Sequence, residues 1–260
     1  MSVCPNKEDE TRRFFFIHIQ KTAGTSLREH FLQNFDQSEV YPPREGGRQK
    51  VLARYVFGQL LIETPASEQT KYRLFHGHMP YAASQKLSFK TPPSTLTVLR
   101  DPIARTLSVL GQKKRHRPEF ADASLEDIYD KREIFEGEIL NHQTKIFAVP
   151  NDSNLMSGFD PYYVGPAQLE LAKKNLNKVE VIGLQSDIPA FLAELKRKFG
   201  WHPLQSVIRK NTGESRQASA SFLARIEADN AIDIAFYRYA VELVKSREIK
   251  FLFGLLVITR

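Results

Sequence analysis

Residues 14–27 read FFFIHIQKTAGTSL, and this stretch decides the fold. The apolar and aromatic run 14–19 predicts a buried strand of a parallel sheet. A small polar loop, residues 20–26, leads into a helix on which apolar residues recur every four positions from Leu27. In such a strand–loop–helix unit the loop N–H groups converge and the helix dipole adds partial positive charge. Together with the ammonium group of Lys21, the unit predicts an anion-binding site.

A second unit of the same kind occupies residues 96–108, LTVLRDPIARTLS. Arg100 ends its strand, and Asp101 with the following proline predicts a helix start. Arg100 can offer a two-pronged guanidinium to a phosphate, and Ser108 can add a hydroxyl. Arg105 is expected to face either solvent or the side of Ser108. Two strand-end sites predict one ligand with two separated anionic groups, although Arg100 and Asp101 also fit a capping and ion-pair arrangement.

The composition is that of one globular domain spanning residues 1–260. A net charge of +7 and a pI near 9.4 favour an anionic ligand or nucleic acid, or indicate only a basic surface. Cys4 is the single cysteine, which excludes an internal disulfide and a cysteine-based metal site.

The two ends of the sequence are predicted to carry no membrane span. Residues 1–12 are predicted to form a loose arm, without the apolar core of a signal peptide. No run approaches the ~20 apolar residues that cross a bilayer. The apolar run 251–258 is interpreted as a docked terminal strand. We therefore expect a cytoplasmic location.

Strands alternate with helices along the chain, which predicts an α/β fold with a parallel sheet and ligands at the carboxyl ends of the strands. Beyond the two units described above, the patterns predict strands over 72–79 and 179–184 and helices over 51–62, 127–147, 166–178, 188–199 and 222–247.

The loop at residues 20–26 differs from the phosphate loop of nucleotide kinases. That loop requires GxxxxGK[ST], with the lysine after the last glycine, whereas Lys21 here precedes Gly24. A loop with lysine, glycine, threonine and serine also occurs in ordinary turns. The prediction of an anion-binding site therefore depends largely on the second strand–loop–helix unit, at the neighbouring strand end.

Two histidines, His76 and His78, stand two residues apart on a predicted strand and so point to the same side. Histidine suits proton transfer at neutral pH because its unperturbed pKa is near ~6.5. His78 is the first candidate for a general base, and His76 for a helper or substrate contact. Both could instead cap the strand. His18, inside the first strand, is expected to be structural.

These motifs resemble those of a known enzyme family. The stretch IHIQKTAGTSL resembles the 5′-phosphosulfate loop of sulfotransferases, and VLRDPIARTLS resembles their 3′-phosphate motif. Their order is similar to that in the carbohydrate branch, which includes heparan sulfate 2-O-sulfotransferase. Gln20 stands where the family usually has proline, which changes the rigidity of the loop and leaves its donors unchanged. Further similar segments are residues 76–78 (HGH), 141–144 (NHQT), 172–184, and Asn230, Asp233, Phe236 and Tyr237.

The resemblance implies a sulfotransferase fold, a P-loop-like parallel sheet flanked by helices. It also implies the donor 3′-phosphoadenosine 5′-phosphosulfate (PAPS), the product PAP, and no metal. Arg100 and Ser108 would hold the 3′-phosphate. Arg209 and Lys210 would belong to a late loop that closes over the nucleotide. The 5′-phosphosulfate would be held by Lys21, Thr22, Ala23, Gly24, Thr25 and Ser26, with Lys21 also stabilising the leaving phosphate.

The expected partner is a hydroxyl-bearing acceptor, either a glycan or another small molecule, and not nucleic acid. The oligomeric state stays open. Two other functions compete: a P-loop-type nucleotide kinase, and a non-enzymatic basic module that binds polyanions. The basic run 113–117 is interpreted as a solvated helix end, with an acidic glycan contact as the alternative. Trp201 is expected to pack in the core.

Overall fold

A five-stranded, wholly parallel sheet forms the centre of the computed structural model. Its strands lie in the order β2-β3-β1-β4-β5. The structure describes residues 12–43, 53–151, 155, 157–159, 162–202 and 218–258. The strands are β1 (Phe14–Ile17), β2 (Val40–Tyr41), β3 (Leu74–Gly77), β4 (Ser94–Leu99) and β5 (Val181–Leu184).

Helices flank this sheet, so the predicted α/β class with a parallel sheet and flanking helices is confirmed. The α-helices are α1 (Gly24–Asn34), α2 (Ala53–Glu63), α3 (Ala66–Gln69), α4 (Tyr81–Gln85), α5 (Pro102–His116), α6 (Leu125–Asp130), α7 (Glu136–Ile139), α8 (His142–Ala148), α9 (Pro166–Asn177), α10 (Ile188–Phe199), α11 (Ala220–Asp229) and α12 (Ala231–Ile258).

Strand β1 is the centre of the sheet, and all four of its residues are buried. It pairs with β3 on one side and with β4 on the other. Successive side chains point to opposite faces. Phe15 therefore joins the core cluster on one face, while Phe14 joins the cluster on the other face with Trp201. Trp201 packs edge-on against Phe14, which confirms its predicted core role. The carboxyl ends of β1, β3 and β4 consequently lie side by side.

Both predicted strand–loop–helix units are present. Strand β1 leads into α1, and β4 leads into α5. The Asp101 carboxylate accepts the Ala104 N–H at 2.8 Å, so the predicted helix cap is confirmed. Gly200 ends α10 with a φ of 69°, a left-handed conformation that glycine adopts without steric cost.

Three predicted elements differ from the structure. The run 251–258 is not a terminal strand but the end of α12, because extending an existing helix adds hydrogen bonds without a new nucleation cost. The predicted helix 222–247 is two helices, α11 and α12. Asn230 separates them, and its side chain accepts the Asn141 N–H at 3.0 Å. The predicted helix 127–147 is broken into short helices, α6, α7 and α8.

Arg12, the last residue of the predicted loose arm, is attached to the domain. Its guanidinium donates to Ser94 and pairs with Glu180 at 2.8 Å, and it lies over the Phe199 ring. Residues 1–11 of that arm lie outside the described residues. Among the residues that the structure does describe, none of the helices combines the length and apolarity that a bilayer crossing requires.

Desolvation lowers the pKa of His30 on α1 and of His76 on β3. His30 is 1% exposed and contacts Phe31 and Trp201. Burial lowers the pKa of His30 to about 4, and burial together with the nearby His78 lowers the pKa of His76 to about 3. Both imidazoles are therefore neutral in the folded protein at neutral pH.

Acidification is expected to destabilise the fold through these two residues. Their folded pKa values lie below the unfolded value near ~6.5, so the unfolded state binds more protons as the pH falls. Stability is complete above that value and is lost from there towards about pH 4 for His30 and about pH 3 for His76. Each residue should remove about 2 kcal/mol between pH ~7 and ~5.

Urea unfolding followed at several pH values tests this expectation. His30→Leu should make the free energy of unfolding less dependent on pH in that interval. His116→Gln, at an exposed position of α5, is the control and should leave the dependence unchanged. Equal slopes for His30→Leu and the wild type would contradict the assignment.

Candidate functional site

Two arginines bind consecutive backbone carbonyls of the loop between β1 and α1. Arg105 Nε donates to the Gln20 carbonyl, and Arg100 Nη1 donates to the Lys21 carbonyl, each at 3.0 Å. In a trans peptide the N–H points opposite to the C=O. The N–H groups of Lys21 and Thr22 are therefore directed away from the two guanidinium groups.

The loop backbone alternates in the sign of φ, a pattern that is typical of anion-binding nests. Lys21 and Ala23 have positive φ angles of 68° and 74°, whereas Thr22 between them does not. Alternation of left- and right-handed conformations turns successive N–H groups towards one side. The Thr22 hydroxyl donates to the Ile19 carbonyl at 2.9 Å and holds the turn. Non-glycine residues adopt positive φ at a cost, so the surrounding contacts maintain this conformation.

Helix α1 continues the nest. Its N-cap, Ala23, supplies no side-chain hydrogen bond to the first turn. At Gly24 a Cβ would collide with the His18 imidazole, so the close approach of that ring requires glycine. The predicted donors Thr25 and Ser26 lie on the first turn of α1. Their side chains are outside the described part of the structure.

Arg100 is half-buried and lies against the loop itself, so the two predicted anion sites adjoin each other. Its backbone N–H and C=O both bond to the Gln143 side-chain amide, at 3.0 and 2.7 Å. Its Nε is buried and has no hydrogen-bond partner among the described residues. The guanidinium therefore retains a donor beyond the one that binds Lys21. Ser108 is half-buried on α5, one turn beyond Arg105.

Of the two orientations expected for Arg105, the one towards solvent is wrong. The side chain is 1% exposed and bridges Gln20 and the Glu138 carbonyl, which it reaches at 2.6 Å. Burial lowers its pKa to about 10, opposed by the nearby carboxylates of Asp233 and Glu138. The side chain is therefore charged at neutral pH and places positive charge directly beneath the loop.

A network of hydrogen bonds joins residues 141–144 to the start of α12. The Asp233 carboxylate accepts the N–H groups of Gln143 and Thr144, at 3.1 and 2.7 Å, and also the Thr144 hydroxyl. Asn141, at φ 44°, accepts the Asp233 N–H. Burial raises the pKa of Asp233, while these hydrogen bonds favour its charged form. This network holds Gln143 in place, and the Gln143 side-chain amide holds the backbone of Arg100.

The two candidate catalytic histidines have different environments. His76 lies within β3, is half-buried, and stacks between Phe16 and His18, at ring distances of 5.6 and 4.8 Å. His78 follows the end of β3, is half-buried, and stacks on His18 at 4.2 Å. Its Nδ1 lies 3.0 Å from the His18 carbonyl. A carbonyl only accepts, so Nδ1 carries a proton, and a neutral form of the ring would have its lone pair on Nε2.

His18 connects the histidines with the loop, a role that the sequence did not indicate. It lies beyond the end of β1, with its ring between that of His78 and Gly24. The segment 157–159 closes over the other side of His78. Gly158 N–H donates to the His78 carbonyl at 2.8 Å, and the Phe159 ring lies 5.2 Å from the imidazole. No sequence pattern marked Phe159.

Three further sequence predictions concern the late loop, metal binding and the basic run 113–117. Arg209 and Lys210 lie outside the described residues. Within the described ranges, no group of three or more His, Cys, Asp and Glu side chains could hold a metal ion. In the basic run 113–117, Lys113 forms a nearly buried pair with Glu138 at 2.6 Å, while Arg115 is exposed.

Comparisons with known proteins give no identification. No protein family matches the chain, and no curated protein matches it either.

Replacement of Arg105 by lysine is expected to destabilise the protein by about 1–3 kcal/mol. Lysine keeps the charge, but its single ammonium group cannot span the Gln20 and Glu138 carbonyls as the guanidinium does. Urea unfolding measures the change. Arg115→Lys, an exposed substitution on the same helix, is the control and should change stability by well under ~0.5 kcal/mol. Equal effects of the two substitutions would contradict the bridging role of Arg105.

Proposed function

We propose that this protein is a PAPS-dependent sulfotransferase that transfers a sulfuryl group to an acceptor hydroxyl. The observation that carries the proposal is the loop nest at Lys21–Ala23, held open by Arg100 and Arg105. A histidine with its lone pair on Nε2 stands at the neighbouring strand end. In this proposal the α/β sheet belongs to the sulfotransferase variant of P-loop-like folds.

The residues of the nest fit a phosphate-bearing donor. The N–H groups from Lys21 onwards and the first turn of α1 provide donors for an anion. The Lys21 ammonium is proposed to stabilise the charge on the departing 5′-phosphate oxygen. The buried Nε of Arg100 supplies a donor for a second anionic group, with the Ser108 hydroxyl beyond it. These roles use protein groups alone.

His78 is the proposed general base. PAPS supplies an activated sulfuryl group, whose bond to the 5′-phosphate oxygen breaks as a bond to the acceptor oxygen forms. The acceptor proton moves to His78 Nε2, because Nδ1 is already engaged with the His18 carbonyl. His76 is less suited to contact an acceptor, since its ring is buried between Phe16 and His18.

The acceptor is proposed to be a hydroxyl of a carbohydrate or other small molecule. The resemblance of the motifs to the carbohydrate branch suggests this class. In the structure, the Phe159 ring lies 5.2 Å from the imidazole of the proposed base, and aromatic side chains are typical of the lining of small-molecule sites.

A nucleotide kinase is the second candidate, since a phosphate nest at a helix N-terminus also suits a nucleoside triphosphate. The order of Lys21 and Gly24 does not fit the Walker pattern. A basic polyanion-binding module is the third candidate. It would show steeply salt-dependent binding that does not depend on Lys21.

Calorimetric titration with PAP, ATP and AMP at two salt concentrations separates these functions. We expect PAP to bind with micromolar or tighter affinity and far more tightly than ATP. Arg100→Ala should remove at least ~1.5–3 kcal/mol of binding, the magnitude of a hydrogen bond to a charged group. Lys21→Ala should abolish transfer with the unfolding midpoint unchanged. Arg100→Ala also removes the hydrogen bond to the Lys21 carbonyl, so its unfolding midpoint is measured together with its affinity. Preferential ATP binding, or equal binding of all three nucleotides, would overturn the proposal.

The base is tested by His78→Ala, which is expected to lower the transfer rate by about 10²–10⁴-fold with PAP affinity retained. His76→Phe exchanges one stacked ring for another and is the matched control, with transfer retained to within about tenfold. If His76→Phe abolishes transfer and His78→Ala does not, the two roles are reversed.

A further inference from the structure

Helix α12 leaves the domain after Arg247. The guanidinium of that residue donates to the carbonyls of Asn177 and Val179, both at 2.8 Å. Residues 248–251 that follow are all exposed, including Ile249 at 53% and Phe251 at 41%. Four consecutive residues cover every side of a helical turn. At this turn, therefore, every side of α12 carries a solvent-exposed residue, with one contact to the domain through Phe251.

The sequence of the helix becomes wholly apolar at the same place. Residues 251–258 read FLFGLLVI, and their backbone is helical to Ile258. A helix that is apolar all round requires apolar surroundings. This run extends only about 12 Å, far less than the ~30 Å hydrocarbon core of a bilayer. It is long enough to enter the interfacial region of one leaflet.

Basic side chains surround the point where the apolar run begins. Arg197, in the last turn of α10, lies over the Phe251 ring at 4.1 Å. Lys196 and Lys198 flank it in the same turn, and Lys250 precedes Phe251; these lysines are exposed. Segments 194–198 and 242–251 together carry six basic and three acidic residues.

We propose that the end of α12 and the last turn of α10 form a docking surface for an anionic membrane. Apolar residues entering the interface and lysines contacting anionic headgroups are the two components of reversible attachment. A second copy of the chain is a less suitable occupant. A symmetric dimer would bring the same basic turn of each copy close to that of the other. The proposal is independent of the catalytic assignment.

Co-sedimentation of the full chain with vesicles tests the proposal. We expect binding to phosphatidylcholine vesicles that contain phosphatidylglycerol, and much weaker binding to pure phosphatidylcholine. The double variant Lys196→Glu/Lys250→Glu should weaken binding to the anionic vesicles by at least about twentyfold, since each basic residue near such a surface contributes about fivefold. Ile249→Asp/Phe251→Asp changes exposed apolar residues only and should abolish binding with the unfolding midpoint unchanged.

The matched control is Lys71→Glu/Lys90→Glu, which alters net charge by the same amount. Both control lysines are exposed and lie on the β3 side of the sheet, whereas α10 packs on β5 at the opposite edge. Equal loss in both double variants would show a general charge effect and overturn the proposal. Equal binding to the two vesicle types, or binding to neither, would also overturn the proposal. A dimer observed by ultracentrifugation without lipid would overturn it as well, if Ile249→Asp/Phe251→Asp dissociates that dimer.

Discussion

The hydrogen bond from Arg105 to the Gln20 carbonyl is the interaction on which the site depends. A carbonyl oxygen turned towards an anion would repel it, so a nest needs its carbonyls held on the opposite side. Arg105 does this for Gln20, and Arg100 does it for Lys21. A guanidinium buried this deeply costs several kcal/mol unless it is hydrogen-bonded and opposed by negative charge. Asp233 and Glu138 provide that opposing charge. The same buried cation thus shapes the loop and contributes to its positive potential.

The support of the loop reaches across the chain to α12. Asp233 caps α8 and fixes Gln143, Gln143 holds the backbone of Arg100, and Arg100 holds Lys21. Each link is a hydrogen bond that is largely shielded from water, where bonds are strong and an unpaired partner is costly. Loss of one link therefore leaves the next one without its partner. The conformation of the loop between β1 and α1 therefore depends on this whole series of contacts.

The sequence was sufficient to predict the elements whose signals are local. The run 14–19, the Asp101 cap and the glycine at 200 each identify an element through their own residue types, and the structure confirms the elements they mark. It was insufficient where the deciding contact is distant. The sequence left two orientations open for Arg105, because its contact with Glu138, 33 residues later, gives no local signal. The run 251–258 has the residue types of a strand, but it continues an existing helix.

In the candidate site, too, the features set by neighbouring residues could be predicted, and those set by distant contacts could not. The spacing of His76 and His78 correctly placed both rings on one side of the sheet, where they stack with His18. The spacing did not reveal that β3 ends at Gly77. His76, still within the sheet, is covered on both sides by rings and held neutral by burial. His78 lies just beyond the end of the strand. Its ring donates to the His18 carbonyl, and its own carbonyl accepts the Gly158 N–H.

The loop between β1 and α1 likewise follows the end of a strand. A parallel strand that ends leaves its next residues without ladder partners, and their polar groups must find other contacts. Here the carbonyls turn to arginines and the N–H groups turn the other way, so the end of the strand itself creates the site. The position of the nest at the carboxyl ends of adjacent strands is thus a consequence of backbone hydrogen bonding as well as of the functional side chains.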